Sequence, residues 1–391
     1  MSTTTSPAPA GTAAPPAAPP SVAVVGVNGH GRSHLERALA ADAAGRLRLA
    51  AVADPRLEDL PDLPAGTRRH HDLGDLLRDG APDVVVLSTP IHTHAALATA
   101  AVRAGADVLL EKPPTATAAE FTELNATVEA AGRLCQVGFQ SLGSTAVQHV
   151  RQRVADGRVG EVTGYSAAGC WVRTRAYYQR ARWAGHRHLD GRVVADGALT
   201  NPLAHAVASA LAVAGAQRAE DVTGVETDLF HVHDIEADDT STARVHLAGG
   251  HELLVAVTLC AAERGEPFVA VEGTSGRITL YYTLDTVVEE VPGRPPLVTR
   301  HGRTDLLTDL LAARAHGTPL LSPLADSGGF TRVLEAVVTG PAPRPVAEGF
   351  FERLELPGGD EGRRLTGVEE AVATALRERS TFSELGLPWT R

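Results

Sequence analysis

The chain has 391 residues but a single lysine, Lys112, because the other 35 of its 36 basic side chains are arginine. Its three cysteines, Cys135, Cys170 and Cys260, show no CxxC spacing, which argues against a disulfide framework and a structural zinc site. After residue 20, charged residues interrupt every apolar run well before the roughly 18 residues of a membrane span. The net charge of −11 disfavours a nucleic-acid surface, which needs basic clusters. We therefore expect a cytoplasmic protein with small-molecule ligands and with neither membrane nor nucleic-acid partners.

The residue pattern divides the chain into three parts. Residues 1–20 hold six prolines and six alanines and no charged side chain, which predicts a disordered tail. From 21 to 140, short β-branched strands alternate with Ala/Leu-rich helices, as is typical of a doubly wound parallel sheet. From 141 to 391 the dominant period becomes two, and helical segments at 303–315, 326–338 and 367–378 could pack against either domain. The sequence therefore predicts an α/β protein whose second domain is α+β with an open, largely antiparallel sheet.

A glycine-rich turn follows the first predicted strand. The segment Gly26-Val27-Asn28-Gly29-His30-Gly31 fits the pattern GxGxxG, with asparagine at the second glycine position. Such a turn lets the backbone and the N-terminus of the next helix approach a pyrophosphate. Asparagine is the non-glycine residue that best tolerates a positive φ, so we expect Asn28 to preserve the turn.

Asp54 ends the second predicted strand, 23 residues after Gly31. A carboxylate at this position accepts hydrogen bonds from the ribose hydroxyls of adenosine and repels a 2′-phosphate, which favours NAD over NADP. Two alternatives stay open, because Asp54 can instead cap the turn before Pro55 and Arg56 can instead bind a 2′-phosphate. The sequence favours NAD and leaves NADP as the alternative cofactor.

Several segments, in family order, resemble the Gfo/Idh/MocA oxidoreductases, which are named for glucose-fructose oxidoreductase and inositol dehydrogenase. They are 26–34, Val52-Ala53-Asp54-Pro55, Ser88-Thr89-Pro90 with His94, Glu111-Lys112-Pro113, Val137-Gly138-Phe139 and 271–276. The resemblance implies an N-terminal Rossmann domain over 21–140 that binds NAD or NADP, and a second domain over 141–391 that binds substrate and whose sheet forms a dimer or tetramer contact. It also implies hydride transfer between nicotinamide and a hydroxyl carbon of a sugar, inositol or related polyol. The residues predicted on the cofactor side are Gly26, Asn28, Gly29, His30, Gly31, Asp54, Arg56, Ser88, Thr89, Pro90, His94 and Glu111.

The resemblance places Lys112 at the family's active-site lysine, beside the nicotinamide and the reacting hydroxyl. Physical reasoning agrees, because Lys112 follows an inner parallel strand at the edge where doubly wound sheets bind ligands. A desolvated ammonium can also lose its proton, which a guanidinium cannot. Glu111 points to the opposite side of the strand, which favours a structural role.

The second family element is an acid followed four residues later by a histidine on one helix. Here the histidine is His205, and Asn201 replaces the acid. Positions i and i+4 share a helix face, so Asn201 can orient the ring but cannot stabilise an imidazolium by charge. We therefore expect His205 to be less basic than in members with aspartate, and Lys112 to carry more of the proton transfer. A structural helix histidine is the alternative interpretation, and Ala208, where many members have an acid, leaves the substrate contacts open.

Segment 171–192 reverses the overall charge locally. It contains six arginines, two of the three tryptophans, Tyr177 and Tyr178, against one acid, Asp190. Aromatic faces suit sugar rings and guanidinium groups suit carboxylate or phosphate, which predicts a carbohydrate-like substrate and allows an anionic one. The predicted substrate-binding residues are Lys112, Tyr178, Arg182, Trp183, Asn201 and His205. An arm that wraps a neighbouring subunit has the same composition, so both alternatives stay open.

Four histidine pairs, at 70/71, 92/94, 186/188 and 231/233, lack a third ligand at a recognised spacing, so the sequence predicts no metal site. Two other functions are compatible with the family fold. One is an enzyme that holds NAD permanently and cleaves a glycosidic bond, and the other is a regulator that senses dinucleotide without turnover. The presence of both Lys112 and His205 argues against the regulator.

Overall fold

The computed structural model describes residues 18–58 and 60–391. Most of the predicted tail, residues 1–17, lies outside the described residues, and 18–20 lead directly into the first strand. Within the described ranges, none of the helices has the length and apolar character needed to cross a bilayer.

The first domain is a parallel sheet flanked by helices. Its strands are β1 (Ser21–Val25), β2 (Arg48–Ala53), β3 (Arg68–His70), β4 (Val84–Leu87), β5 (Asp107–Leu110) and β6 (Cys135–Val137). Its helices are α1 (Gly31–Ala43), α2 (Leu73–Arg78), α3 (His94–Arg103) and α4 (Ala118–Ala131). The strand order β3-β2-β1-β4-β5-β6 confirms the predicted doubly wound sheet.

Alternation along β1 shows why the sheet is covered on both faces. Val22 and Val24 belong to one buried apolar cluster, whereas Ala23 and Val25 belong to another. Both faces of the strand are therefore core, which explains its uninterrupted apolar sequence. The sequence analysis missed β3, because its residues Arg-Arg-His form a polar edge strand without the apolar signature.

The second domain begins with α5 (Thr145–Ala155) and contains a larger sheet. The strands of this domain are β7 (Val162–Cys170), β8 (His188–Leu189), β9 (Arg192–Val193), β10 (Val222–His231), β11 (Thr240–Leu247), β12 (Glu252–Thr258), β13 (Phe268–Gly273), β14 (Gly276–Tyr281), β15 (Thr286–Glu290), β16 (Leu297–Arg300), β17 (Arg344–Pro345), β18 (Phe351–Leu356) and β19 (Asp360–Leu365). The pairs β8-β9 and β18-β19 form two separate two-stranded sheets, and the other strands form the large sheet. The remaining α-helices are α6 (Arg175–Gln179), α7 (Ala204–Ala214), α8 (Leu306–His316), α9 (Gly328–Thr339) and α10 (Val368–Glu378). Short 3-10 helices lie at Ile91–Thr93, Gln140–Gly143, Ala219–Asp221, Leu324–Ser327, Pro357–Gly359 and Pro388–Thr390.

The large sheet is mixed and mostly antiparallel, as predicted. Its order is β16-β15-β14-β13-β7-β12-β11-β10-β17, with parallel pairing between β7 and β12 and between β10 and β17. Helices α5, α7 and α9 pack on one face, and α10 packs on the other face at β7 and β12. The face that carries α7 joins the core of the first domain, because one apolar cluster contains residues of both sheets.

Helix α8 lies on the first domain, although the predicted boundary assigns it to the second. Leu306, Leu307 and Leu310 are buried in the same cluster as Val22 and Val24. At the end of this helix, Arg314 donates to Asp107 at 2.5 Å and to Asp83 at 2.6 Å. Dividing the chain into two domains at residue 140 therefore does not account for α8, which follows that residue in sequence but packs on the first domain.

Candidate active site

The crevice for a ligand lies where the carboxyl ends of β1, β4 and β5 meet, because β1 and β4 are adjacent and their connections run in opposite directions. Gly26 has a φ of +79°, and a Cβ there would lie 2.2 Å from the carbonyl oxygen of Ser88. A Cβ on Gly31 would lie 1.8 Å from the carbonyl oxygen of Gly26. Both positions therefore require glycine, and α1 begins directly at the crevice. This cradle fits the pyrophosphate of a dinucleotide.

Asn28 holds the turn in a different way from the one expected. It does not adopt a positive φ, which is found instead at Gly26 and Gly29. Its side-chain Nδ2 donates to the carbonyl oxygen of Arg56 at 2.9 Å. The turn is therefore kept without a left-handed conformation at Asn28, because the Asn28 amide ties it to the loop after β2.

Asp54 is buried and acts within the protein itself. Its Oδ2 accepts from the N–H of Val27 at 2.9 Å, and its Oδ1 accepts from the N–H of Arg56 at 2.9 Å. The carboxylate therefore caps its own turn, which is one of the alternatives that the sequence left open, and also holds the glycine-rich turn. Each oxygen keeps a second lone pair that could accept a ribose hydroxyl.

His94 connects two loops that border the crevice. Its ring nitrogens lie 2.7 Å from the carbonyl oxygen of Thr89 and 2.7 Å from that of Pro113. The Lys112–Pro113 peptide bond is cis. The Ser88-Thr89-Pro90 loop is thereby fastened to the loop that carries Lys112, which explains His94 as a structural support of the site.

Glu111 lies at the centre of a buried polar cluster. Its carboxylate accepts from His34 Nε2 at 2.8 Å, from Gln140 Nε2 at 2.9 Å and from the N–H of Lys112 at 3.0 Å. His30 Nε2 lies 3.4 Å away. Burial opposes ionisation, but the hydrogen bonds from His30 and His34 hold the pKa of Glu111 well below its usual value. Glu111 thus links the start of α1 to the end of β5.

Lys112 connects the two domains at the crevice. Its Nζ donates to Asn201 Oδ1 at 2.6 Å and to the carbonyl oxygen of Asn201 at 2.9 Å. An ammonium has three N–H groups, so one remains for a substrate hydroxyl. Burial lowers the pKa of Lys112, the charges of Glu111 and Asp196 oppose this, and Arg180 adds to it. The nitrogen therefore loses its proton more readily than that of an exposed lysine.

His205 lies close to Lys112 on α7. Its Nδ1 is 3.3 Å from the hydroxyl of Ser141, and its ring packs edge-on against Phe139 with centroids 5.8 Å apart. Burial, and next the charge of Lys112, lower the pKa of His205 to about 3. The imidazole is therefore neutral at physiological pH. Asn201 lies in the turn before α7 and hydrogen-bonds Lys112 and Asp196, so the expectation that it shares a helix face with His205 and orients the ring was wrong.

Side chains of segment 171–192, together with Arg264 from the loop after β12, form an alternating stack of guanidinium groups and rings. Its order is Arg264, Trp171, Arg173, Tyr177, Arg180 and Trp183, and successive members lie 4.8, 5.0, 4.8, 3.7 and 4.6 Å apart from guanidinium carbon to ring centroid. Arg180 pairs with Asp196, whereas Arg173 and Arg264 have no acid at ion-pair distance within the described residues. Trp171 Nε1 and Arg173 Nε are buried without a hydrogen-bond partner. The stack therefore offers unpaired donors and uncompensated positive charge.

Other members of this segment have different surroundings. Arg187 is buried, and its guanidinium donates to the carbonyl oxygens of Val337, Val338 and Gly340 at the end of α9. Arg182 has 80% of its side chain exposed, and Tyr178 packs on the ring of His233. The substrate roles predicted for Arg182, Tyr178 and Trp183 stay predictions, whereas Arg187 serves the fold.

One histidine of the 231/233 pair, His233, lies beside two further polar side chains, and His231 is not part of this cluster. His233 Nδ1 lies 3.0 Å from Asp239 Oδ2 and 3.5 Å from Cys260 Sγ. Asp239 also accepts from the N–H groups of Val232 and His233, so hydrogen bonding already accounts for this buried arrangement. The prediction that the chain holds no metal stays a prediction.

Sequence reasoning missed Asp196. Its Oδ1 accepts from Asn201 Nδ2 at 2.5 Å, which places a buried carboxylate directly behind the amide that holds Lys112. The available signal was an acid only five residues before Asn201, just beyond the arginine-rich segment.

The fold and site together define a two-domain, dinucleotide-binding protein of the oxidoreductase type. Residues 21–139 match a model described as the oxidoreductase family, NAD-binding Rossmann fold, and residues 147–279 match the GFO/IDH/MocA C-terminal domain. The chain belongs to the Gfo/Idh/MocA oxidoreductase family, as its motifs indicated.

Similar proteins include inositol dehydrogenases. Inositol 2-dehydrogenase 1 of Saccharopolyspora erythraea is 35% identical over 143 residues, which cover 36% of this chain and 42% of that protein. The scyllo-inositol 2-dehydrogenase (NAD(+)) of Bacillus subtilis is 28% identical over 121 residues, covering 30% and 35%. The chain thus spans well under half the length of either relative. The fold is similar to that of the WlbA dehydrogenase from Bordetella pertussis in complex with NADH and UDP-GlcNAcA, with a TM-score of 0.66, 22% identity and coverage of 81% of this chain and 94% of that one.

Proposed function

We propose that this protein is an NAD-dependent oxidoreductase that transfers hydride between nicotinamide and a hydroxyl carbon of a sugar, inositol or related polyol. The observation that carries the proposal is the meeting of Lys112 with Asn201 across the domain boundary, beside His205 and at the edge of the sheet where the glycine cradle lies. NADP stays an alternative cofactor, because Arg56 adjoins the loop that would contact the adenosine ribose.

The chain's own residues would move the hydroxyl proton. When bound, the dinucleotide supplies the acceptor or donor of hydride. In the oxidation direction, neutral Lys112 Nζ accepts the proton of the substrate hydroxyl while the C–H bond breaks and a carbonyl forms. Asn201 holds Nζ in place with two acceptors, and neutral His205 is positioned to hydrogen-bond the same oxygen or its neighbour. Reduction uses the ammonium form of Lys112 as the proton donor.

We further propose that the substrate carries an acidic group, a carboxylate or a phosphate. The support is the stack described above, in which Arg173 and Arg264 flank Trp171 and lack acidic partners within the described residues. A guanidinium binds an oxyanion by paired hydrogen bonds, and the buried Arg173 Nε has no acceptor. Similarity in fold to a protein solved with UDP-GlcNAcA is consistent with this, because that ligand is acidic.

The decisive experiment is a screen of NAD and NADP reduction with inositols, neutral hexoses and hexuronic acids. We expect NADH formation with at least one of them, and a loss of about 10²-fold or more in kcat for Lys112→Met, since it removes the proton-transfer group. Arg294→Met, on the exposed turn between β15 and β16 at the edge of the large sheet, removes a cation outside the site and should leave kcat unchanged. Cofactor that stays bound through turnover without net NADH would contradict the dehydrogenase proposal.

The acidic-substrate proposal has its own variant. Arg173→Met should lower kcat/KM for a hexuronate about tenfold relative to the matching neutral hexose, because one charged hydrogen-bond pair is lost. Arg175→Met removes an exposed arginine of the same segment, whose guanidinium donates to the carbonyl oxygen of Gly359 and is not part of the stack, and should change this ratio little. An unchanged ratio in Arg173→Met, with an altered subunit number in light scattering, would assign the segment to a subunit contact instead.

We also propose that the protein assembles as a dimer or tetramer through its large sheet. Leu297 and Val298 on the edge strand β16 are exposed large apolar side chains, at 44% and 58%. Such side chains on an edge strand are typical of contact surfaces. Light scattering of the purified protein tests this, and a monomer at micromolar concentration would contradict it.

A further inference from the structure

A second carboxylate stands behind the amide that holds the lysine. Asp196 is 3% exposed, and its Oδ1 accepts from Asn201 Nδ2 at 2.5 Å. Its two oxygens also accept from Arg180 at 3.2 and 3.1 Å, and Oδ2 accepts from the N–H of Gly185 at 2.8 Å. On its other side, Asn201 Oδ1 accepts from Lys112 Nζ at 2.6 Å.

We propose that Asp196 is the positioning carboxylate of this active site: acting through the Asn201 amide, it orients Lys112 and supplies the negative charge that Asn201 lacks. The proposal rests on the proposed function in so far as Lys112 transfers a proton. The charge that the family resemblance would place at position 201 is thus present one hydrogen bond further from the lysine.

The polarity of the amide explains the orientation. An amide NH2 can only donate, and a carboxylate can only accept, so the bond to Asp196 fixes Nδ2 on that side. Oδ1 is therefore turned toward Lys112 Nζ, where an acceptor is needed. Without Asp196, the amide could rotate and present its NH2 group to the lysine, leaving two donors opposed and the lysine free to move.

The charges around Lys112 make Asp196 an electrostatic partner as well. Glu111 faces the lysine from the end of β5, Asp196 and Arg180 face it from the loop before α7, and His205 faces it from α7. Two hydrogen bonds and one amide separate Nζ from the Asp196 carboxylate by about 7 Å, and at an effective dielectric constant of about 20 this interaction changes the pKa of a lysine by about one unit or more.

The same contacts connect the arginine-rich segment to the lysine. The Arg180 guanidinium lies between the rings of Tyr177 and Trp183, at 3.7 and 4.6 Å from their centroids, and forms an ion pair with Asp196. Movement of these rings when substrate binds would reach Lys112 through Asp196 and Asn201. Part of the segment therefore serves the proton-transfer group without touching it.

The single lysine makes a direct test possible without any substrate. Protein labelled with 13C- and 15N-lysine, and carrying no lysine in any tag, gives one side-chain signal whose shift follows protonation of Lys112. We expect Asp196→Asn to lower the pKa of Lys112 by about one unit, because a stabilising negative charge is removed. The matched control is Asp190→Asn, an exposed acid of the same segment 3.5 Å from Arg182, which should leave this pKa unchanged.

Exchanging the carboxylate and the amide between positions 196 and 201 distinguishes an effect on Lys112 from a loss of folding. Asn201→Asp alone places two carboxylates in contact, whereas Asp196→Asn with Asn201→Asp restores a single charge, now directly against the lysine. The double variant should return the pKa of Lys112 at least to the wild-type value even if Asp196→Asn alone folds poorly. A Lys112 pKa that is unchanged in folded Asp196→Asn, or that stays low in the double variant, would overturn the proposal.

Turnover gives an independent reading. In Asp196→Asn we expect kcat to fall about tenfold with little change in KM, with the rise of kcat displaced to lower pH, and we expect the double variant to recover it. A purely structural role would lower stability without displacing the pH profile. If the wild type oxidises no polyol or sugar, the proposed function fails, but the lysine titration still decides the role of Asp196.

Discussion

The buried Glu111 cluster makes a stability prediction that can be worked out from its contacts. Glu111→Gln keeps the shape but replaces one acceptor oxygen with an NH2 group, which then faces a donor from His34, Gln140 or the backbone of Lys112. Removing one partner of a buried charged cluster costs about 3–5 kcal/mol, and the acceptor that glutamine retains places the expected loss of unfolding free energy near the lower value, about 3 kcal/mol.

Urea unfolding followed by tryptophan fluorescence measures this loss. The control is Glu36→Gln on α1, where the glutamate side chain is 65% exposed and lies 3.8 Å from Arg32, and we expect a change within about 0.5 kcal/mol. The pKa of Glu111 is depressed in the folded state, so its contribution is fully present above pH 4.5, its usual value, and is lost as the pH falls through the folded-state pKa. The difference between wild type and variant should therefore shrink below pH 4.5. A loss under about 1 kcal/mol at pH 7 would refute the reasoning.

Three further predictions concern the cradle, the proton-transfer groups and helix α8. Gly26→Ala should abolish dinucleotide binding in calorimetry, because its Cβ would meet Ser88 at 2.2 Å; retained affinity would contradict the cradle. The rate of polyol oxidation should rise with pH and reach its plateau below pH 10.5, because burial lowers the pKa of Lys112 and oxidation needs the neutral form of this lysine. His205, with a pKa of about 3, should show a neutral ring by NMR throughout pH 5–8. Arg314→Met should lower the free energy of unfolding by about 2 kcal/mol, since Asp107 loses its partner, and an unchanged urea midpoint would contradict this.

Much of the site could be predicted because its signals are local. Short segments are enough to predict the glycine cradle, Lys112 after β5 and His205 on an Ala-rich helix. Each depends on an element whose type follows from periodicity, and the carboxyl ends of parallel strands meet at one edge. The predicted fold class implies that these groups face one another, and the structure brings them together.

The features of the site that the sequence did not predict depend on contacts between segments that are distant in the chain. Asp196 acquires its role from Arg180 and Asn201, and neither partner is evident without the path of the loop between them. Arg187 resembles the other arginines of its segment, but it is buried at the end of α9, which no local pattern indicates. Asn28 supports the glycine-rich turn through a side-chain hydrogen bond to the loop after β2, a contact that no local pattern indicates.

The return of α8 to the first domain has a consequence for dissection of the protein. Its three leucines close a surface that the segments before residue 140 leave open, and burying each such side chain contributes about 1.5–3 kcal/mol. A fragment that ends near residue 140 would therefore expose this apolar surface to water and tend to aggregate. The nucleotide-binding half is discontinuous in sequence, and because the polypeptide passes between the halves more than once, each crossing restrains how far they can swing apart.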